Sequence, residues 1–363
     1  MGNTAAGDFN VLVDAKEVPH GDVVGFVVDR DLDQPGMCVI TLRNLRHGQN
    51  NKFKLGAAVE VKVGGGSRQS SDGSNDGTKA TIFKGELVGM EPGYTQDGKS
   101  EFSLRAFDKL HRLQRGRKSK SYQNQTDQDI ASAIAGSHGL SAQSGATPKI
   151  THNHVYQHNQ TDLEFLRMRA ARLGYSVWCE DTKLYFDAPK LDAESGLHFI
   201  YGGEGEDRLK LTSFSGRMSN ALVVKKVIVR GWDPDREKEI VGEANAKRSP
   251  LGSSIAASSL SDFDDVTTFA VDYPIFSVEE ANAIAKAKLT ELAMSFLTAE
   301  SEAMGNNRVK PGIVIRITVN ETNATDRFNG KYLVQGCTHR LLVGSGGGFR
   351  TIMRLVRDAE RGS

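Results

Sequence analysis

Cysteine is scarce in this sequence, and the three present do not pair by spacing. Cys38, Cys179 and Cys337 lie far apart, each in an apolar, strand-like setting. An odd count without regular spacing excludes a disulfide framework and points to buried free thiols in a chain made in a reducing cytoplasm. An excess of either charge is also missing. Lys and Arg total 46 against 45 Asp and Glu, a formal net charge of +1, so no overall basic field draws the chain to nucleic acid. No stretch approaches the roughly 18 apolar residues of a membrane span. The first residues, Met1-Gly-Asn-Thr-Ala-Ala-Gly-Asp8, lack the basic start and apolar run of a secretory leader.

Catalytic signatures are missing too. A serine hydrolase wants a Gly-x-Ser-x-Gly elbow between strand and helix; the nearest string, Gly344-Ser-Gly-Gly-Gly348, reads as a hairpin turn. Gly64-Gly-Gly66 has no Lys-Ser/Thr after it and is no phosphate loop, and no Gly-x-Gly-x-x-Gly opens a helix after a strand. A glycosidase-like acid pair would have to come from Glu164, Glu180 and Asp181, which read equally as a helix cap and a turn. His138, His152, His154 and His158 form the one metal-like group. His-x-His on a strand puts both rings on one face, but no Cys or carboxylate at a recognisable ligand spacing completes it. These absences lead us to expect no catalytic residue, no metal and no cofactor.

What is present is β-structure. With 38% hydrophobic and 25% charged residues in 363, the composition suits two or three globular domains. In the first hundred residues, short branched or alternating segments are separated by Gly, Pro, Asn and Asp. Val59, Val61 and Val63 alternate with Glu60 and Lys62, a strand with one buried face. Six such strands suggest a small antiparallel barrel or sandwich. The Gly/Ser/Asp-rich residues 64–77 read as a mobile surface loop, and the basic residues 112–120 as a solvated linker or subunit contact.

A middle section changes grammar. Thr126 can cap a helix from Asp127 to about Ser137, with Gly139 as its stop. Thr161-Asp-Leu-Glu164 fits a capping box for a helix ending before Gly174. Tyr175 to Glu180 and Lys183 to Phe186 then form a hairpin around Asp181-Thr182. The remainder returns to strands. Ala221 to Gly231 is a strong one, residues 242–265 read as a surface excursion, and Ser277-Val-Glu-Glu280 caps a helix reaching about Met304, with Phe276 as a hydrophobic staple.

The fold class expected is mainly β with an α+β insert: two tube-like antiparallel β-barrel domains flanking and joined by an α+β section. The domains are 1–115, 116–200 and 201–363, the last containing a long helix at about 278–304. Lys310-Pro-Gly312 before Val314 echoes Leu55-Gly56-Ala57 before Val59, and Phe83 to Leu87 parallels Phe328 to Tyr332, which suggests an internal duplication.

Gly85-Glu-Leu-Val88, Phe102-Ser-Leu-Arg-Ala-Phe-Asp108, Ser121 to Ala131, Gln160-Thr-Asp-Leu-Glu-Phe-Leu166 through Trp178, Lys183-Leu-Tyr-Phe186 and the C-terminal Gly330-Lys-Tyr-Leu-Val334 together resemble the phage late-control D protein family. That family is similar to the hub portion of VgrG-type spikes. The resemblance covers most of the chain, least so residues 64–77 and 242–265. It implies a non-enzymatic homotrimeric baseplate hub of a contractile phage tail or phage-tail-like injection system. Such a hub is made in the bacterial cytoplasm and adapts a threefold spike to a sixfold inner tube. Its expected partners are further copies of itself, an inner tube or tube-initiator protein, a separate spike protein and other baseplate subunits, with no nucleic acid or membrane. The rival readings are a tail-associated cell-wall hydrolase and a receptor- or carbohydrate-binding tail protein.

Overall fold

The computed structural model describes residues 8–64, 79–96, 100–145, 148–202, 209–233, 236–262, 266–270, 275–344 and 347–362. The first unit holds β1 (Phe9–Val13), β2 (Lys16–Glu17), β3 (Val23–Asp31), β4 (Met37–Arg43), β5 (Ala58–Val63), β6 (Ala80–Tyr94) and β7 (Ser100–Phe107). Val59, Val61 and Val63 point inward and are buried, as their alternation requires. Each such side chain contributes roughly 1.5–3 kcal/mol by leaving water. The strands run β1-β5-β6-β7-β4-β3 around one core, with β2 on the outer side of β1. No ladder joins β1 to β3 among the described residues.

The middle unit contains β8 (Lys118–Thr126), α1 (Asp127–Ser137), β9 (Ser141–Ser144), β10 (Thr151–Gln160), α2 (Asp162–Leu173), β11 (Ser176–Glu180) and β12 (Lys183–Asp187). Both helices start at true capping boxes. Thr126 accepts from the Asp129 N–H and Asp129 reaches back; Thr161 and Glu164 do the same. Gly174, at φ 70°, ends α2 in the left-handed conformation that glycine adopts without a Cβ penalty. The helices and β8–β12 share their own core, which includes Tyr122, Phe165 and Phe186. Residues 112–120 are no free linker. Leu110 and Leu113, in a short 3-10 helix, are buried in that core, and Arg117 and Lys118 are tied to Glu164 and Asp162.

The last unit begins with β13 (Glu194–Tyr201) and β14 (Leu209–Met218). It continues through β15 (Lys226–Asp233), β16 (Lys238–Asn245), β17 (Gly252–Ile255), β18 (Thr267–Ala270), α3 (Val278–Met294), β19 (Leu297–Met304), β20 (Val314–Thr318), β21 (Gly330–Leu342), β22 (Gly348–Arg357) and β23 (Ala359–Gly362). Here β21-β20-β13-β14-β19-β22 closes on itself through the β21–β22 ladder, a six-stranded barrel. It is antiparallel except at β13, which runs parallel to both its neighbours.

Four expectations are corrected here. The helix stops at Met294, not near Met304: Ser295 caps it, and its hydroxyl donates to the Leu292 carbonyl at 2.6 Å. Leu297–Met304 then alternates buried and exposed as a strand between β14 and β22, so pairing on both sides overrides the helical propensity of Ala and Glu. Phe276 staples nothing, being 64% exposed; Glu280 reaches back to the Phe276 N–H instead. Residues 242–262 are no surface excursion. Part of β16, together with β17 and a 3-10 turn, occupies them, and Leu251, Ala256 and Leu260 are buried. The strand expected from Ala221 begins at Lys226. The loop expected at residues 64–77 lies, apart from Gly64, outside the described residues.

Five strands of each barrel repeat one hydrogen-bonding plan; the sixth departs from it, since β1 runs antiparallel to β5 whereas β13 runs parallel to β20. Gly56 (φ 86°) donates to the Leu87 carbonyl at 2.7 Å, and Leu87 donates to Ala57 at 2.8 Å. Gly312 (φ 85°) donates to Val334 at 2.8 Å, and Val334 donates to Ile313 at 2.9 Å. Such a φ suits glycine alone without strain. Directly afterwards both strands bulge, between Leu87 and Gly89 opposite Ala106 and Arg105, and between Val334 and Gly336 opposite Leu355 and Arg354. A second pair of bulges matches Val23 and Gly25 on β3 to Leu211 and Ser213 on β14. The repeat is therefore real in geometry, but Leu87 corresponds to Val334, two residues beyond the Tyr332 suggested by sequence. Residues 32–36 turn between β3 and β4, whereas residues 219–296 fill the equivalent place between β14 and β19. This insertion carries β15, β16, β18 and α3 around a small core of Val227, Val229, Ile240 and Ala285.

Candidate functional site: the seam between barrels and a buried ionic joint

The two barrels share one continuous sheet. Residues Gly336 to Leu342 of β21 pair with Asp31 to Gly25 of β3, antiparallel. Beyond its bulge β21 exchanges β20 for β3 on one edge while keeping β22 on the other; Cys337 still packs in the second core, and farther on Leu341 and Phe349 enter the core of the first. A Cβ on Gly25 would lie 2.4 Å from the Leu341 carbonyl oxygen, so the strands meet here only because no side chain intervenes. On the outer face Thr338 Oγ1 donates to Asp29 Oδ1 at 2.7 Å. Arg354 reaches from β22 across the seam to Asp31 Oδ2 at 3.0 Å, Asp29 Oδ1 at 3.4 Å and the Arg30 carbonyl at 3.4 Å. Burial raises the Asp31 carboxyl above its ordinary value, against the pull of Arg354.

Inside the seam sits His339, only 1% exposed. Its Nε2 lies 3.0 Å from the Val309 carbonyl and its Nδ1 3.1 Å from Thr351 Oγ1, which itself accepts the Asn306 N–H at 2.9 Å. The carbonyl can only accept, so the ring carries its proton on Nε2 and takes the threonine hydroxyl on Nδ1, neutral and satisfied at both nitrogens. Burial pushes its pKa down to about 4. Asn307 donates to the Val63 carbonyl at 2.9 Å, a further tie between barrels.

A second cluster joins the middle unit to the insertion. Asp127, at the start of α1, accepts from Arg169 of α2 through both oxygens, at 2.5 and 3.1 Å. His152 Nε2 stands 3.2 Å from Asp127 and 2.7 Å from the Arg169 guanidinium, so this nitrogen serves one of the two at a time. Arg172 donates to Glu280 at the start of α3, and His152 Nδ1 lies 3.8 Å from the same carboxylate. All five side chains are buried. Burial raises the Asp127 carboxyl, but His152 and Arg169 more than offset it, and its pKa falls below the ordinary value. Fixed donors meeting fixed acceptors in a dry site favour one geometry over neighbouring ones. The arrangement is a joint between units.

The residues singled out in sequence are dispersed. His138 Nε2 donates to the Asp162 carboxylate at 2.7 Å, where Lys118 and Gln157 also converge. His152 belongs to the ionic joint, while His154 and His158 flank Tyr156 on the exposed face of β10. The expected common face of His152 and His154 is not formed: Asn124 on the facing strand takes φ 51°, and the alternation breaks. Among the described residues no group of three or more His, Cys, Asp and Glu is placed to hold a metal. Glu164 caps α2 and meets Arg117, Glu180 pairs with Lys310 at 2.9 Å, and Asp181, at φ 56°, turns the β11–β12 hairpin and meets Lys84. Clefts of about 430 and 420 Å³ open among the described residues. The first has two carboxylates, but Asp14 accepts the Ala58 N–H and Glu17 the Asn10 amide. Cys38, Cys179 and Cys337 are buried free thiols. No helix among the described residues is long and apolar enough to cross a membrane.

Sequence reasoning missed the ionic joint. Its signal was present: Arg169 and Arg172, three residues apart, interrupt the apolar face of α2 that carries Leu163, Phe165 and Leu166.

The fold is that of phage tail proteins. The 43 kDa tail protein of prophage MuSo2 from Shewanella oneidensis superposes with a TM-score of 0.69 at 13% identity, over 96% of this chain and 98% of that one. A tail protein from Neisseria meningitidis MC58 gives 0.70 at 14% identity, over 97% of both chains. The E. coli c3393 protein, described as a component of the type VI secretion system, gives 0.57 at 11% identity over 97% of this chain and 78% of that one. The family described as the Alg8 N-terminal domain matches residues 4–342, and the chain belongs to it. No curated protein matches the sequence.

Proposed function

We propose that this chain is a non-enzymatic hub subunit of a tail baseplate, in a phage or a phage-tail-like injection particle. The observation that carries the reading is the fused pair of barrels with a hydrogen-bonding plan shared by five strands of each. Three copies present six barrels of similar build, and a ring of them meets a sixfold tube on one side and a threefold spike on the other. The tail-protein fold agrees with this role. Polar side chains are spent on joints: the Arg354 seam and the Asp127–Arg169–His152–Glu280–Arg172 cluster fix the units against one another. We assign 1–115 and 201–363 to the barrels and 116–200 to the section between them; the separate hydrophobic cores support a division into three, with Leu110 and Leu113 packing in the middle core and Leu197 and Phe199 of β13 in that of the second barrel. The working partners are then further copies of the chain, a tube protein, a separate spike protein and neighbouring baseplate subunits. The test is the native mass of the chain alone and co-expressed with its spike. A threefold assembly in either condition is the expected result; a persistent monomer in both overturns the hub reading.

A further inference from the structure

The seam inside one chain has an unfilled counterpart on each side of the molecule. After its bulge, β21 has β22 on one edge and β3 on the other. Its equivalent, β6, has β7 on one edge from Gly89 to Tyr94 and no strand on the other among the described residues. Likewise β3 lies between β4 and β21, whereas Ser213 to Met218 of β14 is paired, among the described residues, to β19 alone. The matching bulges fix the correspondence: Gly89 stands where Gly336 stands, and Ser213 where Gly25 stands.

We propose that a second copy of this chain lays the free edge of its β14 along β6, antiparallel, in the register that β3 and β21 use within one chain. This deepens the hub reading and rests on it. Carrying the register over places Glu91 opposite the second copy's Arg217, where Thr338 opposes Asp29. It also sets Tyr94 opposite Phe214, and Pro92 opposite Gly216.

Charge complementarity supports the match. Within the chain the acid is Asp29 on β3, and Arg354 reaches over to it from β22. On the free edge Arg105, the equivalent of Arg354, pairs with Glu91 on its own neighbouring strand at 2.9 Å. The acid has thus moved to the β6 side, and a base, Arg217, takes the place of Asp29. Directly opposed side chains on antiparallel strands are close enough to interact.

Exposure supports it too. Leu341 is fully buried because the β21–β22 hairpin enters the first barrel, yet Tyr94, its counterpart, is 53% exposed. Phe214 and Met218 on the other edge are only partly covered. Pro92 offers no N–H, so its rung contributes a carbonyl alone, and Gly216 opposite has no side chain to meet the ring. A proline and exposed charges make a poor template for strands in general; they admit a strand with the matching charge pattern.

The test uses the full-length chain and native mass spectrometry. Glu91→Arg and Arg217→Glu should each weaken association by about tenfold or more per seam, and the double reversal should restore it. Urea midpoints equal to that of the parent chain show that the variants are folded. Independently, the Glu91→Cys, Arg217→Cys double variant should form covalent oligomers on mild oxidation, which neither single variant does, because opposed antiparallel residues lie within disulfide reach. Single reversals without effect and no cross-link, in a chain that still assembles threefold, overturn the seam and leave the hub reading standing. A chain that stays monomeric with and without its spike and does not cross-link overturns both.

Discussion

Lowering the pH should unlock the seam between the barrels through His339. The folded ring is neutral down to about pH 4, because protonating it in its buried site between Val309 and Thr351 costs solvation that the protein does not return. In the unfolded chain the same ring takes a proton near its ordinary value of 6.5. The unfolded state therefore binds the extra proton between these values. The contribution to stability is complete above pH 6.5 and declines as pH falls towards 4, by roughly 3 kcal/mol in all. The comparison is urea unfolding at pH 7.5 and 4.5 for the parent chain and His339→Gln, whose amide can serve both partners but does not titrate. Asp108 must be separated from this effect. Burial pushes its carboxyl up to about 7, against the N–H groups of Gly36 and Leu110. A raised carboxyl works in the opposite sense, its contribution being present at low pH and lost as pH rises from about 4 to 7. Because Asp108 titrates in both chains, the difference between them isolates His339. The advantage of the parent chain over the variant should shrink by roughly 2–3 kcal/mol on acidification. Parallel pH dependences would refute the reasoning.

Other perturbations address the joint, the helix and the thiols. Glu280→Ala takes a buried carboxylate away from the Arg172 guanidinium and should cost about 3–5 kcal/mol in urea unfolding, whereas Glu280→Met combined with Arg172→Met should cost clearly less. Ala285→Pro, at a fully buried position within α3, should cost about 3 kcal/mol or more and lower helical circular dichroism; an unchanged spectrum and intact assembly would contradict the helix. Gly242→Val should destabilise by about 1–3 kcal/mol, since its Cβ would fall 2.3 Å from the Ala281 carbonyl carbon where α3 lies on β16; a thermal melt matching the parent would contradict that close approach. Cys38, Cys179 and Cys337 should be silent to an aromatic disulfide reagent in the native chain at pH 8 and all react in denaturant, burial having pushed the Cys179 and Cys337 thiols up to about 12.

Local features were legible where a local signal decides the outcome. Thr126, Thr161, Gly139 and Gly174 marked helix ends that the structure keeps, because caps act within one turn. Val59 to Val63 announced a strand by its period of two. Where two local codes conflict, tertiary pairing decided. Leu297–Met304 has helical composition and strand alternation, and ladders to β14 and β22 selected the strand. Long-range joints were not legible. Nothing near Arg354 in sequence names Asp29 and Asp31, and nothing near Arg172 names Glu280. The duplication was visible in Lys310-Pro-Gly312 and Leu55-Gly56-Ala57 because a positive φ demands glycine. It was misplaced at Phe328 to Tyr332, where Gly330 takes φ 136° but Gly85, its sequence match, has no positive φ, so the two segments share no such constraint.

A duplicated barrel creates a problem of recognition that the charge pattern answers. Two barrels of related plan carry two acceptor edges, β3 and β14, and two donor edges, β6 and β21, of which β3 and β21 meet within the chain, and backbone ladders alone do not distinguish them. A second copy's β6 arriving at β3 would set Glu91 against Asp29, carboxylate against carboxylate. A second copy's β21 arriving at β14 would bring Arg354 onto Arg217. Like charges directly opposed across strands are unfavourable, and more so as the edges lose water. The pairings left are β21 with β3, where Arg354 meets Asp29 and Asp31, and β6 with β14, where Glu91 meets Arg217. The first occurs within the chain; under the proposed seam the second joins chains, and first and second barrels then alternate around a closed ring. In the proposed hub, two inverted charge pairs would set this alternation of barrels, while the number of copies is left to the native mass.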